Sequence, residues 1–406
     1  MSSKSNSAFT TCLEHPGLVS ACAEAIAGCE HLLTEILIRL PTKSLMKFKS
    51  VSKHWNFLIS APYFSLLHML HNPKDSMPIS GIFLRRRCVL SPYAYWFLPV
   101  TDSNISLPSF SETSSSTFEI PALAGLVVSI LQSCNGLLLY YSISLSNSQV
   151  LNLHVCNPIT SQLRTIPNIQ NSFLSATLAF DPHSLSYGYK IVSVHTSASP
   201  DHYALKVYSS ETGCWKDVDE ISIRVLNDMA LRNGVYWRGS IHWVCSSGES
   251  LYLEVDKERV AKMPSPVFSR PERGNMKCFE CKGKLWCLWH EYSDMTLEVH
   301  MLDNYEEGWL LKFTLNLGVV RKASCLSGAY HPEFAVLSLI ISRKCNGGEK
   351  CMMVVIHVPG KILGYDLVEG TIKEMCKIPL IEGEAPGERQ FYCGDAYLYC
   401  YSLACV

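Results

Sequence analysis

The chain has 406 residues, of which 48% are hydrophobic and 17% charged, a balance that excludes a disordered or coiled-coil chain and gives two to three domains at roughly 150 residues each. Its 35 basic and 36 acidic side chains nearly cancel, so no global field draws it to nucleic acid or anionic lipid, and a charge-driven partner has to meet a local patch. The 18 cysteines are sparser than the roughly 8–10% of a disulfide scaffold and are scattered through apolar stretches, which reads as reduced thiols in a core.

Residues 1–28 are small and polar and read as a mobile arm. Met1–Thr10, Ser-rich and without an apolar core region, does not have the pattern of a secretory signal. The longest apolar runs, Ala122–Leu131 and Phe334–Ile341, reach about half of the ~20 residues that span a bilayer. No membrane partner and a reducing cytoplasmic or nuclear location are therefore expected.

A helical signal begins at Glu30. Leu32, Leu33, Ile36, Leu37 and Leu40 recur along one helix face, and Pro41 stops it. In the next segment Thr42 or Ser44 is placed to cap, while Leu45, Phe48 and Val51 repeat every third residue. A third stretch runs through Trp55, Leu58 and Ile59 to Pro62. Three short helices make a unit too small to bury its own apolar faces well, so it needs a partner surface. Between Glu30 and Leu70 five basic residues (Arg39, Lys43, Lys47, Lys49, Lys53) face two acidic ones (Glu30, Glu35). An acidic partner suits that local excess.

The string EILIRLPTKSLMKFKSVSKHWNFLIS, Glu35–Ser60, resembles the F-box, most closely the plant type. Ile36-Leu37, Leu40-Pro41, Lys43-Ser44-Leu45, Phe48, Val51-Ser52-Lys53, Trp55 and Leu58-Ile59-Ser60 carry the resemblance. Where the family motif usually opens on Leu-Pro, this chain has Gly28-Cys29-Glu30-His31. The resemblance implies docking on the small acidic Skp adaptor of a Skp-cullin-F-box ubiquitin ligase. It implies a contact formed by Leu33, Ile36, Leu37, Leu40, Pro41, Leu45 and Val51, supported by Lys53 and Trp55. From periodicity alone, an amphipathic helical subdomain packed on the rest of the chain is the alternative.

Asn72–Pro78 reads as a linker, giving an expected organisation of 1–28 arm, 29–72 F-box, 73–80 linker and 81–406 second domain. Beyond it the helical period is lost. Short apolar or alternating runs ended by Gly, Asn, Asp and Pro predict strands at Gly136–Tyr141, Tyr189–His195, Tyr203–Tyr208, Gly239–Val244, Leu285–Trp289, Met352–Val358 and Ala396–Tyr401. A weak repeat underlies them, at His154–Pro167, Lys206–Val218, Leu253–Pro264, His300–Thr314 and Leu363–Met375. Its turn residues Asn157, Ser210, Asp256, Asp303 and Asp366 recur at intervals of about 50 residues, near the ~40–50 of a four-stranded propeller blade. Tyr392–Tyr401 then completes a blade begun near Gly81–Val100, giving six. Two stacked sheets are the alternative for the same strands.

The region also resembles the F-box-associated domain of plant F-box proteins, a relative of kelch propellers. The carrying residues are Ser133-Cys134-Asn135-Gly136-Leu137-Leu138, Cys156-Asn157-Pro158-Ile159-Thr160, Phe180-Asp181-Pro182, Tyr187-Gly188-Tyr189-Lys190, Val207-Tyr208-Ser209 and Asn233-Gly234-Val235-Tyr236-Trp237. The fold class expected is thus a short helical F-box unit followed by an all-β propeller-like domain, α+β multidomain over the whole chain. The Ser-rich Thr101–Thr117 reads as a surface loop.

Catalytic chemistry finds little footing. Cys278-x-x-Cys281 with Cys287-x-x-His290 has ligand types for zinc, but residues three apart on a strand point to opposite faces, so these read as buried strand cysteines and no metal or other cofactor is expected. Ser44-x-x-Lys47 and Ser50-x-x-Lys53 match an acyl-enzyme pattern but lie inside the F-box match. Arg85-Arg86-Arg87 reads as a solvated strand end. The expected function is a non-catalytic substrate receptor of a ubiquitin ligase, binding the adaptor and cullin core through the F-box and an unspecified target protein through the propeller. The competing expectation is a propeller scaffold or binding protein outside any ligase.

Overall fold

In the computed structural model, which describes residues 26, 28–72, 79–86, 94–100, 126–144, 150–166, 172–182, 188–197, 202–222, 228–271, 274–291, 295–323, 334–343, 350–378, 391 and 393–406, the chain divides into two compact units, Met1–Asn72 and Pro73–Val406. The expected arm, apart from residues 26 and 28, lies outside the described residues, as do positions 73–78 of the expected linker, the Ser-rich 101–117 segment and Arg87.

Among the described residues of the first unit, four helices are defined: α1 (Glu30–Leu37), α2 (Thr42–Phe48), α3 (Lys53–Ser60) and α4 (Pro62–His71). The fourth corrects the three-helix expectation. Pro62, read as a stop, sits in the first turn of α4, where its missing N–H is no loss. It therefore closes α3 and opens the next helix. α1 is also shorter than its periodicity suggests: after Leu37 the chain tightens, Leu40 N donating to Leu37 O at 3.0 Å, because the residue before a proline is driven out of the helical region. The cap position of α2 is held by Pro41 in place of Thr42 or Ser44, and its side chain makes no capping hydrogen bond. Ser52 does cap α3, its Oγ accepting from Trp55 N at 3.1 Å.

The second unit begins with β1 (Gly81–Arg86) and β2 (Ala94–Pro99) and then runs through five meanders. These are β3 (Leu126–Cys134), β4 (Leu137–Ser144), β5 (Val150–Asn157) and β6 (Gln162–Ile166), then β7 (Phe173–Ala179), β8 (Lys190–Thr196), β9 (His202–Ser209) and β10 (Cys214–Ser222). Next come β11 (Val235–Trp237), β12 (Ser240–Trp243), β13 (Ser250–Glu254) and β14 (Arg259–Met263), and then β15 (Gly274–Cys281), β16 (Lys284–Glu291), β17 (Thr296–Leu302) and β18 (Trp309–Asn316). The fifth is β19 (Ala335–Arg343), β20 (Lys350–Val358), β21 (Lys361–Asp366) and β22 (Ile372–Lys377), and β23 (Ala396–Tyr399) ends the series. Each meander is one four-stranded antiparallel sheet, and β23 returns to pair with β1 in a sixth sheet of order β2-β1-β23.

Six sheets whose edge strands meet in turn, β23 with β3, β3 with β7, β7 with β11, β11 with β15, and β19 with β23, form a six-bladed β-propeller. The two-sheet alternative is excluded. All five sequence repeats turn out to be the outer hairpin of a blade, third strand to fourth. Burial explains their visibility. Inner strands such as β8, Lys190–Thr196, are buried along nearly their whole length, whereas outer β6 and β14 are each buried at one position only and so mix polar with apolar residues.

The ring closes through its last residues. Ile79 and Ser80, assigned to the linker, belong to the propeller: both are buried and Ser80 N donates to Tyr399 O at 2.8 Å. Beyond β23, Asn157 Nδ2 donates to Ser402 O at 3.1 Å and Ala404 O at 2.8 Å. Ser402 Oγ donates to Asn135 O at 2.9 Å. The C-terminal segment is thereby tied to the blade of β3–β6, a junction that leaves no free inner edge between the chain's two ends.

Candidate adaptor-docking surface

The helical unit builds its own small core from residues that share helix faces. In α1 Leu33 and Leu37, one turn apart, are buried, and Leu45 of α2, Leu58 and Ile59 of α3, and Phe64 and Met69 of α4 are buried with them. Phe48 meets Trp55 edge to face, ring centroids 5.6 Å apart. α4 also supplies a polar clamp on the corner between α1 and α2. His68 Nε2 lies 2.9 Å from Leu40 O, and Asn72 Nδ2 donates to Ile38 O at 3.1 Å. Burial pushes the His68 imidazole below its ordinary pKa, so at neutral pH it is uncharged and its Nε2–H serves that carbonyl. The C-terminal end of α1 and the Leu40-Pro41 break are held in place by these bonds.

The nine residues expected at the contact therefore divide. Leu33, Leu37 and Leu45 are buried in the unit's own core and offer no surface while the unit is folded. Leu40 and Trp55 are half-buried, while Ile36, Pro41, Val51 and Lys53 are exposed. The physical reason is that α1 carries apolar residues on two faces, and sequence periodicity does not say which one turns inward.

Exposure adds residues the sequence reading passed over. Ile36 is 47% and Val51 59% exposed, and Leu32 (49%), Phe57 (74%) and Tyr63 (63%) join them. Leu32 and Ile36 lie one turn apart on α1. The signal for Leu32 was an apolar count along α1 wider than one stripe; Phe57 and Tyr63 had none, since each follows or precedes residues that pack inward. Lys43, Lys47 and Lys53 are exposed on the same unit. Arg39 pairs with Glu35 at 3.1 Å in a solvent-exposed i,i+4 bridge, worth only a few tenths of a kcal/mol. The unit thus exposes both apolar side chains and cations.

The F-box domain family matches residues 29–67, and the family described as F-box associated beta propeller domain matches residues 97–341, more than half of the chain. The chain belongs to the F-box-associated β-propeller family. Along nearly its whole length it is similar to the Arabidopsis thaliana F-box protein At5g07610, 26% identical over 416 residues that cover 96% of this chain and 95% of that one. It is similar also to the Arabidopsis thaliana F-box/kelch-repeat protein At5g43190, 30% identical over 224 residues, or 53% of this chain and 48% of that protein. A plant-type F-box protein is what these matches and the architecture together describe.

Proposed function

We propose that this chain is the substrate-recognition subunit of a Skp-cullin-F-box ubiquitin ligase, working in the cytoplasm or nucleus. The observation that carries the reading is the exposed apolar set on the F-box unit, Leu32, Ile36, Val51, Phe57 and Tyr63, with the exposed cations Lys43, Lys47 and Lys53 on the same unit. Apolar residues left out of a folded unit mark an interaction surface, and the charge sign suits an acidic adaptor. The propeller then holds a target protein near the ubiquitin-loading enzyme. Its contribution is proximity, which raises the local concentration of the target's lysines, so the chain itself needs no catalytic residue.

Co-purification of the intact chain with a recombinant Skp adaptor tests this directly. Ile36→Asp and Val51→Asp replace exposed side chains and leave the internal core intact; burying either residue on docking is worth about 1 kcal/mol, so each variant is expected to bind roughly fivefold more weakly or worse. Val368→Asp, at an exposed position of the propeller, serves as the control and retains binding. An intact chain that fails to capture the adaptor removes the ligase role and leaves a propeller binding protein.

A further inference from the structure

Blade four, the sheet β15–β18, carries two thiols in direct opposition. Cys278 of β15 and Cys287 of β16 are Cα partners in the antiparallel ladder, and their sulfurs are 3.0 Å apart. Both are free thiols. They share one face of the sheet with Met276, Trp289 and Trp309. Cys281, three residues along β15, belongs to a different cluster, the one that holds Trp286 and Leu337, so the four zinc-type residues of the sequence do not converge. Among the described residues no group of three or more His, Cys, Asp or Glu is placed to hold a metal ion.

We propose that Cys278 and Cys287 are a redox modification site, forming a reversible cross-strand disulfide that joins the first two strands of blade four. Directly opposed positions on paired strands give the short Cβ separation a disulfide needs, and from a 3.0 Å contact the sulfurs have about 1 Å left to close to a bond of ~2.05 Å. The two cysteines have unequal roles. Cys278 is half-buried, Cys287 fully buried. Burial first, and then the adjoining Cys278 thiol, push the Cys287 thiol well above its ordinary pKa. Cys278 is thus the residue that meets an oxidant, and Cys287 the one that resolves it.

With hydrogen peroxide the steps balance as follows. The Cys278 sulfur attacks one peroxide oxygen, the O–O bond breaks, and the departing hydroxide takes up the thiol proton as water, leaving Cys278 as a sulfenic acid. The Cys287 sulfur then attacks the Cys278 sulfur, the S–O bond breaks, and hydroxide leaves with the Cys287 proton as a second water. Two thiols lose two electrons and two protons to the peroxide. A small dithiol reverses the change by exchange.

The test uses the full chain, treated with hydrogen peroxide, denatured, alkylated and digested with trypsin. Cleavage after Lys277, Lys282 and Lys284 puts Cys278 and Cys281 on one peptide and Cys287 on another. A cross-linked pair of these peptides is expected, lighter by two hydrogens than their sum and lost after dithiothreitol. It persists in Cys281→Ser and disappears in Cys278→Ser, which instead shows Cys287 alkylated. Both cysteines recovered alkylated from the treated wild-type chain, a link that survives in Cys278→Ser, or a loop within the 278–282 peptide each overturn the proposal. Because the wild-type chain alone gives the first readout, a variant that folds poorly does not blunt the test.

Discussion

Asn157 is the residue on which propeller closure is best tested. Its side chain is fully buried and does two jobs: Oδ1 accepts from Ile159 N at 3.0 Å and shapes the β5–β6 turn, while Nδ2 donates to Ser402 O and Ala404 O at 3.1 and 2.8 Å. Asn157→Ala removes about 1 kcal/mol per bond and strands two buried carbonyls at about 1–3 kcal/mol each, which totals roughly 3–5 kcal/mol after overlap. At roughly 2 °C per kcal/mol for a unit of this size, the melting temperature falls by roughly 6–10 °C. The informative comparison is Asn157→Asp. Aspartate is as good a turn former as asparagine, so a turn-only role predicts near-parental stability. The closure role predicts that Asp is at least as damaging as Ala, since a second acceptor oxygen then faces two carbonyls. Urea and thermal unfolding, followed by circular dichroism, decide the matter. Parental stability in Asn157→Asp refutes the closure argument.

Three further predictions follow the same structural logic. Gly136, at φ +87°, has the Ser402 side chain where a Cβ would stand, so Gly136→Ala is expected to cost more than 1–2 kcal/mol in urea unfolding and to be non-additive with Asn157→Ala, both acting on one junction. Burial pushes His242 down to about 4; because the unfolded imidazole titrates near 6.5, the unfolded chain binds the proton first as pH falls. Stability is unaffected above pH 6.5 and declines between pH 6.5 and about 4 by up to about 3 kcal/mol, and His242→Gln flattens that part of the pH–stability curve measured by denaturant titration. Ser52→Ala removes the cap of α3 and is expected to destabilise the F-box unit by about 1 kcal/mol, read by hydrogen exchange at the α3 amides, with no change in the exposed set that includes Ile36 and Val51.

Much of this molecule is legible in one dimension because its signals are local. The F-box helices announce themselves through short-range apolar spacing and Leu40-Pro41, and the outer hairpins of the five complete blades through half-exposed strands and turn residues such as Asn157 and Asp366, whose Oδ1 accepts from Val368 N at 2.8 Å. Inner strands are quieter. β19, Ala335–Arg343, is apolar from Ala335 to Ile341 but for Ser338, and a run without alternation carries no record of which neighbour it pairs with. The exposed apolar set of the F-box unit is legible only in part for the same kind of reason: Leu33 and Ile36 are equally apolar, and their separation into core and surface depends on where α2, α3 and α4 lie.

The sequence by itself determined the two-part organisation, the family resemblance and the repeat length, since each rests on residue order and on spacing within a few dozen positions. Tertiary structure alone decided that the ring closes by pairing β23 with β1, that Asn157 meets the last residues of the chain, and that Cys278 opposes Cys287 and leaves Cys281 apart. Those contacts join residues hundreds of positions apart, 247 from Asn157 to Ala404 and more from Gly81 to Tyr399, or depend on the register of one hairpin, and one-residue slips in register exchange every side chain between the faces of a sheet. The near-neutral composition concealed the local excess of cations on the F-box unit, and no count over the whole chain recovers it.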